Sequence, residues 1–494
     1  MIRRLSRRRG LELIAGGAGA LLVDPLCPWS AERAVQPGLG ALQSSVRGKV
    51  AVRGTGDYDS TRHRMVWNPR VADLRQPDAI VQIASSQDVA AAIKFARAHG
   101  LKVAVRSGGH NYQGAVLRDG GLLLDLSGLK YISVDAGQRR AAVGPGVKSG
   151  ELLSALAGHH LAFPVGHCSD VAMGGYLLNG GWGWNAGEWG PACMSVTGME
   201  MLTADGELVY ANQKNHSDLF WAARGAGPGF FAVVTRFDLA LKPMRAGIHT
   251  FAVSFPLAAT PVIGDWLTQT LRPIHRTIEV ACTLGPIEPE GPPLIIVSAV
   301  SFAQTPAEAR VRIAPLRKLP TATTPVGPTI DQPATFSEIQ QQIDLGYPSG
   351  KRMAGDQLWS DASPGRLLQA VERLSTRTPP APSAITIVSF GGNAHAPSMP
   401  SPQEAALLSK SGATYLGAFA FWDDPAADER SRAWVNSVLE ASEPFRKGRY
   451  VGDADLAVAA GRVQECFSSE AWTRLVALRH KYDPTGLFYS YLTT

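Results

Sequence analysis

Two glycine-rich turns, each carrying a nucleophilic side chain, constrain the fold of this chain more than any other feature. The first is RSGGHNY over 106–112, which contains His110 and Tyr112; the second runs from His167 and Cys168 to Gly181 through Gly174, Gly175 and Gly180. Glycine admits positive φ and lets bare backbone N–H groups close on an anion, so such concave turns bind pyrophosphate without a lysine. Ser107, Gly108 and Gly109 offer that cradle. Before it, Leu101, Val103 and Val105 alternate with Lys102, Ala104 and Arg106, the period of a strand with one buried face. Upstream, Ser85 or Ser86 caps a helix predicted from about Gln87 to His99, with Val89, Ala92, Ile93 and Ala96 as its apolar stripe and Gly100 as its stop. Helix, strand and glycine turn in this order make an α/β phosphate site. The pattern implies a pocket that holds a phosphorylated cofactor and offers it two nucleophiles.

Further motifs follow in order: GGLLLDLSGL (120–129), GHCSDVAMGG (166–175), NGGWGW (179–184), HSDLFWAARGAGPG (216–229), FAVVT (231–235), FWDDP (421–425), RYVGDADL (449–456) and KYDPTGLF (481–488). Together they resemble the berberine-bridge-enzyme-like branch of the vanillyl-alcohol-oxidase superfamily of FAD proteins, from about Trp67 to the C-terminus. The resemblance implies an α+β fold. A split FAD-binding domain of the PCMH type, built from two α/β subdomains, would carry an inserted substrate domain of antiparallel sheet plus helices. The implied segments are the FAD-binding domain over 50–241, the substrate-binding domain over 242–445 and a C-terminal return to the FAD domain over 446–494. It also implies two covalent links to the flavin, from His110 to the 8α-methyl and from Cys168 to C6. Imidazole and thiolate both add to an electron-poor ring once deprotonated. Arg106, Ser107, Gly108, Gly109, Val171, Gly174, Gly175, Gly180, Gly181 and Val234 are the other implied cofactor neighbours.

Between the two parts of the FAD domain, segments 250–255, 278–283, 294–300, 384–390 and 415–422 read as strands. Helices are predicted over 307–319 and 366–375, the latter opened by Ser363 and Pro364. Proline-rich 320–333 and 378–382 read as surface connections, and 35–61, poor in core signals, as a mature N-terminal extension.

The resemblance also frames the chemistry. Relatives that oxidise sugars or alcohols place a tyrosine base in a YxNY motif, and the matching residues here are Tyr450, Val451, Gly452 and Asp453. Tyr450 is retained, so either it or Asp453 takes the proton. Tyr112 matches a family active-site tyrosine, whereas Trp182 stands where many relatives have tyrosine and accepts no proton. His395 falls near the catalytic glutamate of some relatives. Val171, three residues after Cys168, matches a gatekeeper position where valine accompanies oxidases and larger side chains dehydrogenases. The implied activity is an FAD-dependent oxidase acting on the CH–OH or CH–NH group of a small-molecule alcohol, carbohydrate or secondary metabolite. Hydride would pass to flavin N5 and electrons to O2, yielding H2O2. A dehydrogenase with another acceptor and a non-catalytic flavin-binding protein are the alternatives that share these motifs.

The N-terminus reads apart from the fold. In 1–34, Arg3, Arg4, Arg7, Arg8 and Arg9 precede an apolar stretch over 11–26, and SRRRGL (6–11) resembles a twin-arginine export signal with Gly10 at the usual phenylalanine place. It implies a periplasmic or secreted protein. The apolar stretch is short for a permanent span and contains Asp24. Its arginines carry much of the net charge of +6, and no Lys/Arg stripe interleaved with aromatics follows, so nucleic-acid binding has no support. The five cysteines, Cys27, Cys168, Cys193, Cys282 and Cys466, leave an odd remainder once one goes with the leader and one to flavin, against a full disulfide framework. No CxxC or HExxH occurs and His159–His160 reads as wet surface, so no metal site is expected. Oligomeric state has no signal in the sequence.

Overall fold

The computed structural model describes residues 38–288, 291–390, 400–407, 412–458 and 461–492; the expected export signal, Cys27 and His395 lie outside the described residues. The helix ahead of the first glycine turn forms over Ser86–Ala98. Ser85 Oγ accepts from Asp88 N, and the Asp88 carboxylate accepts from the N–H groups of Arg47, Gly48 and Ala84. Its stripe Val89, Ala92, Ile93 and Ala96 is wholly buried, and Gly100 ends it at φ 63°. The helix crosses between strands Ala79–Gln82 and Val103–Arg106, which flank Leu122–Asp125 in parallel. Val50–Val52 closes the sheet antiparallel to Ala79–Gln82. The stretch 35–61 is therefore no mere extension where it is described: it supplies that edge strand and buries Leu39 and Leu42 in the core that holds the helix stripe.

A second, antiparallel sheet runs in the order Ile132–Asp135, Arg140–Val143, Val233–Ala240, Val196–Leu202 and Leu208–Ala211. The two sheets and the helix Ser469–Tyr482 share one apolar core. After that helix the chain returns to the strand that bears the first glycine turn: Val103 N donates to Leu487 O at 2.8 Å, and Tyr489 N to Val103 O at 2.9 Å.

The largest sheet has eight antiparallel strands, in the order Ile330–Pro333, Gly247–Pro256, Pro293–Ala303, Ile278–Pro286, Ala384–Phe390, Thr414–Trp422, Arg352–Ser360 and Arg446–Gly448. Alternation separates its faces. In Ile278–Pro286, Ile278, Val280, Cys282 and Leu284 join a core with residues of the helices Thr260–Thr270, Pro364–Ser375 and Asp428–Ser442, while Glu279, Ala281 and Thr283 face the glycine turns. Two expectations change. The predicted helix over 307–319 breaks into Pro306–Arg312 and a short 3-10 turn, Ala314–Arg317, where Pro315 removes a backbone donor. Within 320–333, Ile330–Pro333 forms an exposed edge strand, a place where a terminal proline costs no ladder bond. Cys168, Cys193, Cys282 and Cys466 are buried free thiols. Among the described residues no helix is long and apolar enough to cross a membrane.

Candidate active site

A cavity of about 510 Å³ lies between the glycine turns and the inner face of the eight-stranded sheet. The strand Val103–Arg106 delivers the first turn to it. The Arg106 guanidinium turns away from the cavity to bond Asp125 Oδ1 (2.7 Å), Met65 O (3.0 Å) and Gly108 O (2.9 Å), which fixes the curl of the loop. Ser107, Gly108, Gly109 and His110 then line the wall, and their backbone N–H groups make no hydrogen bond with the described residues. Gly109 sits at φ 73°, where a Cβ would collide with Met65 O. A row of bare N–H groups on a cavity wall fits the pyrophosphate of FAD.

Cys168, Val171, Gly174 and Gly175 come from the second turn and line the same cavity, as does Val234. A Cβ on Gly174 would strike Ser107 Oγ, so this glycine lets the two turns touch; one on Gly175 meets nothing within 4 Å. Gly180 and Gly181, expected at the cofactor, lie off the wall, as does the Arg106 side chain. The two glycines adopt φ 99° and 77° and pack against Leu407 and Tyr176, so they shape the backbone beside the cavity.

His110 stacks on Trp67 with centroids 5.2 Å apart, and its Nε2 lies 3.0 Å from Asp170 Oδ1. Burial raises the Asp170 carboxyl, but the bond and charge of His110 outweigh it and hold the group below its ordinary range. Burial, reinforced by Asp170, pushes the Cys168 thiol well up. Among the described residues no group of three or more His, Cys, Asp and Glu stands where it could hold a metal ion.

The opposite wall is aromatic and acidic. Trp182 packs on Trp359 (5.0 Å between centroids) and Phe390 (5.6 Å), and Trp359 meets Tyr415 edge to face (5.6 Å). Tyr112 lies near Tyr347 and Phe419. Burial drives the phenols of Tyr112, Tyr415 and Tyr450 well above their ordinary value. Tyr450 Oη accepts from Gly181 N at 3.3 Å. Asp453 lines the cavity, accepts from Tyr415 Oη at 3.2 Å and has its carboxyl pushed up to about 6 by burial. The turn that carries Tyr450 and Asp453 is held by ion pairs of two buried arginines. Arg449 reaches Glu465 Oε2 (2.5 Å), Glu443 Oε2 (2.7 Å) and Gln357 O (2.8 Å), while Asp356 pairs with Arg462 and accepts from Asp455 N (3.1 Å).

Sequence reasoning missed Trp67, Tyr347, Trp359 and a pair between His167 Nε2 and Glu279 Oε1, 2.7 Å apart. Burial opposes charge on His167, but Glu279 outweighs it and raises the imidazole. The available signal was that Glu279 is the single charged residue in the apolar run 278–283.

Residues 77–212 match the model of a family described as an FAD binding domain. The chain is 30% identical to FAD-linked oxidoreductase nodO of Hypoxylon pulicicidum over 439 residues, covering 87% of this chain and 94% of that protein. It is 36% identical to (R)-6-hydroxynicotine oxidase of Paenarthrobacter nicotinovorans over 218 residues, 43% of this chain and 46% of the relative. Among solved structures, 6-hydroxy-D-nicotine oxidase from Arthrobacter nicotinovorans superposes with a TM-score of 0.77 at 25% identity, over 91% of this chain and 98% of that one. A variant of berberine bridge enzyme, at 20% identity, shares the fold with a TM-score of 0.76 over 91% of this chain and 97% of its own. The chain therefore belongs to the berberine-bridge-enzyme-like FAD-linked oxidoreductases and is an FAD-dependent oxidoreductase with their PCMH-type fold.

Proposed function

We propose that this protein is a flavin oxidase that takes a hydride from a carbon bearing oxygen or nitrogen, with Asp453 receiving the accompanying proton. The placement of Asp453 carries the reading. It is a half-buried carboxyl on the cavity wall, bonded by Tyr415 and pushed up to about 6 by its loss of water, which suits a base working near neutrality. Tyr450 retains the family's tyrosine, but its hydroxyl is occupied by Gly181 N and burial keeps its proton on. Tyr112 belongs to the aromatic wall that shapes the substrate space.

The N–H groups of Ser107 to His110 would hold the pyrophosphate, and His110 and Cys168 would anchor the ring covalently. FAD, once bound, supplies hydride acceptance at N5. Val171 leaves space for dioxygen on the ring, so that the electrons leave as hydrogen peroxide. Similarity to (R)-6-hydroxynicotine oxidase supports this choice of acceptor. The arginine-rich start supports export of the protein to the periplasm or medium.

Acid precipitation of the purified protein followed by peptide mass analysis tests the site directly. Flavin on the peptides containing His110 and Cys168 is the expected result; flavin on neither sinks the anchored site. An aerobic screen of alcohols, sugars and amines with a peroxide readout tests the reaction. Turnover only with an anaerobic dye would make the protein a dehydrogenase, and no flavin reduction by any substrate would leave a non-catalytic binder.

A further inference from the structure

We infer that the substrate is an amine on an aromatic or apolar body, and that Glu279 receives its cationic nitrogen. Glu279 uses Oε1 for His167, while its Oε2 is buried without any hydrogen-bond partner on the cavity wall. A carboxylate oxygen left in that state is costly, and the missing donor is one that a ligand brings. The neighbouring cavity-facing residues of the strand, Ala281 and Thr283, are small and leave the approach to Glu279 open.

Charge selects the donor. Among the described residues no lysine or arginine lines the cavity, so that part of the lining offers an anionic substrate no permanent cation. His167, the imidazole that burial and Glu279 act on, is already paired with Glu279. Asp453 adds a second carboxylate. Trp182, Trp359 and Phe390 pack with centroids 5.0 to 5.7 Å apart beside this acidic region. Aromatic faces attract an ammonium, and more strongly where water is excluded. A hydroxyl would satisfy Oε2 as a donor but would gain nothing from the second carboxylate or the rings.

The site deepens the oxidase reading and rests on it for its chemistry. The ammonium loses one proton to Asp453, and the carbon beside nitrogen then gives up a hydride. The product is a cationic iminium that Glu279 stabilises as its charge develops. The two electrons pass through the flavin to dioxygen, which takes up two protons and leaves as hydrogen peroxide.

The test is isothermal titration of the holoenzyme under nitrogen with 4-fluorophenethylamine and with 4-fluorophenethyl alcohol, probes of the same shape. The amine is expected to bind at least about tenfold tighter, or ~1.4 kcal/mol. In Glu279→Gln, which keeps an acceptor for His167, the preference for the amine should vanish; Glu279→Asp should fall between. Equal affinities in the unaltered protein, no binding of either probe, or a preference that survives Glu279→Gln would each overturn the inference. The comparison in the unaltered protein decides the matter even if the variants fail to fold. Bleaching of the flavin reports separately: a selective amine site with a flavin that no amine or alcohol bleaches would sink the oxidase reading and leave the cation site standing.

Discussion

Ser107 to His110 present backbone N–H groups to the cavity, whereas Glu279, Trp359 and Asp453, across the same cavity, present side chains. The first wall needs a chain path that only glycine follows, with Gly109 in left-handed φ and Gly174 against Ser107. The second needs only that a strand residue point the right way, and any of several residue types meets that demand. A wall made of backbone is therefore fixed in residue type and position, while a wall made of side chains is free to change chemistry. A cofactor common to many enzymes sits against the former, and the part that must differ between enzymes faces the latter.

The largest effect comes from breaking the backbone wall. Gly109→Ala places a methyl against Met65 O at φ 73°, strain on the order of 1–3 kcal/mol before the collision is counted. The expected outcome is a protein without the yellow absorbance of flavin. Gly175→Ala, whose Cβ meets nothing within 4 Å of the chain, should fold with the thermal stability of the parent or slightly above it. Equal flavin content in the Gly109 variant and its parent would end the claim that the backbone path there is indispensable.

On the side-chain wall, Asp453→Asn should lower kcat by about 10²- to 10⁴-fold, the scale of a lost general base, with cofactor content unchanged. In the parent, kcat/KM should rise with pH through about 6 as the carboxyl ionises, and the asparagine variant should lack this limb. Stability runs the other way. The folded value lies above the ~3.9 of a free aspartate, so the group's contribution is complete below that pH and lost as pH rises through about 6. Thermal melts at pH 8 should therefore show the asparagine variant more stable than its parent. Asp356, also pushed up to about 6 by burial, lies outside the cavity lining and is paired with Arg462, so a limb that persists in Asp453→Asn would assign the titration to that buried pair.

The same contrast explains what was legible in the sequence. The helix Ser86–Ala98 and the turn after Arg106 could be read because cap, stripe and glycines are local signals. The strands containing 278–283 and 384–390 showed because one face is apolar. Arg352–Ser360 did not: eight of its nine residues are buried, so both faces resist the alternation test. Gly180 and Gly181 lie off the cavity lining, for glycine answers a backbone need beside a cavity as readily as within it. Glu279 stood out only as the one charge in 278–283, and its direction follows from register against Pro293–Ala303 and Ala384–Phe390, pairings made over long stretches of chain. The edge strand Ile330–Pro333 likewise forms only because Gly247–Pro256 offers it a partner.

Tyr450→Phe carries the smallest expected effect and the sharpest comparison with Asp453. The phenol is buried against Trp182 and its oxygen accepts a long bond from Gly181 N at 3.3 Å. Phenylalanine keeps the ring and leaves that amide without its acceptor, a loss of about 1 kcal/mol in stability. Because burial holds the Tyr450 proton well above the ordinary phenol range, removing the hydroxyl takes away no base. Stopped-flow reduction of the flavin by an oxidised substrate should then slow by no more than about threefold, well short of a base's contribution. A fall as deep as that of Asp453→Asn would move the proton acceptor to Tyr450. It would also mean that the Gly181 amide, by donating to that oxygen, stabilises a phenolate during the reaction.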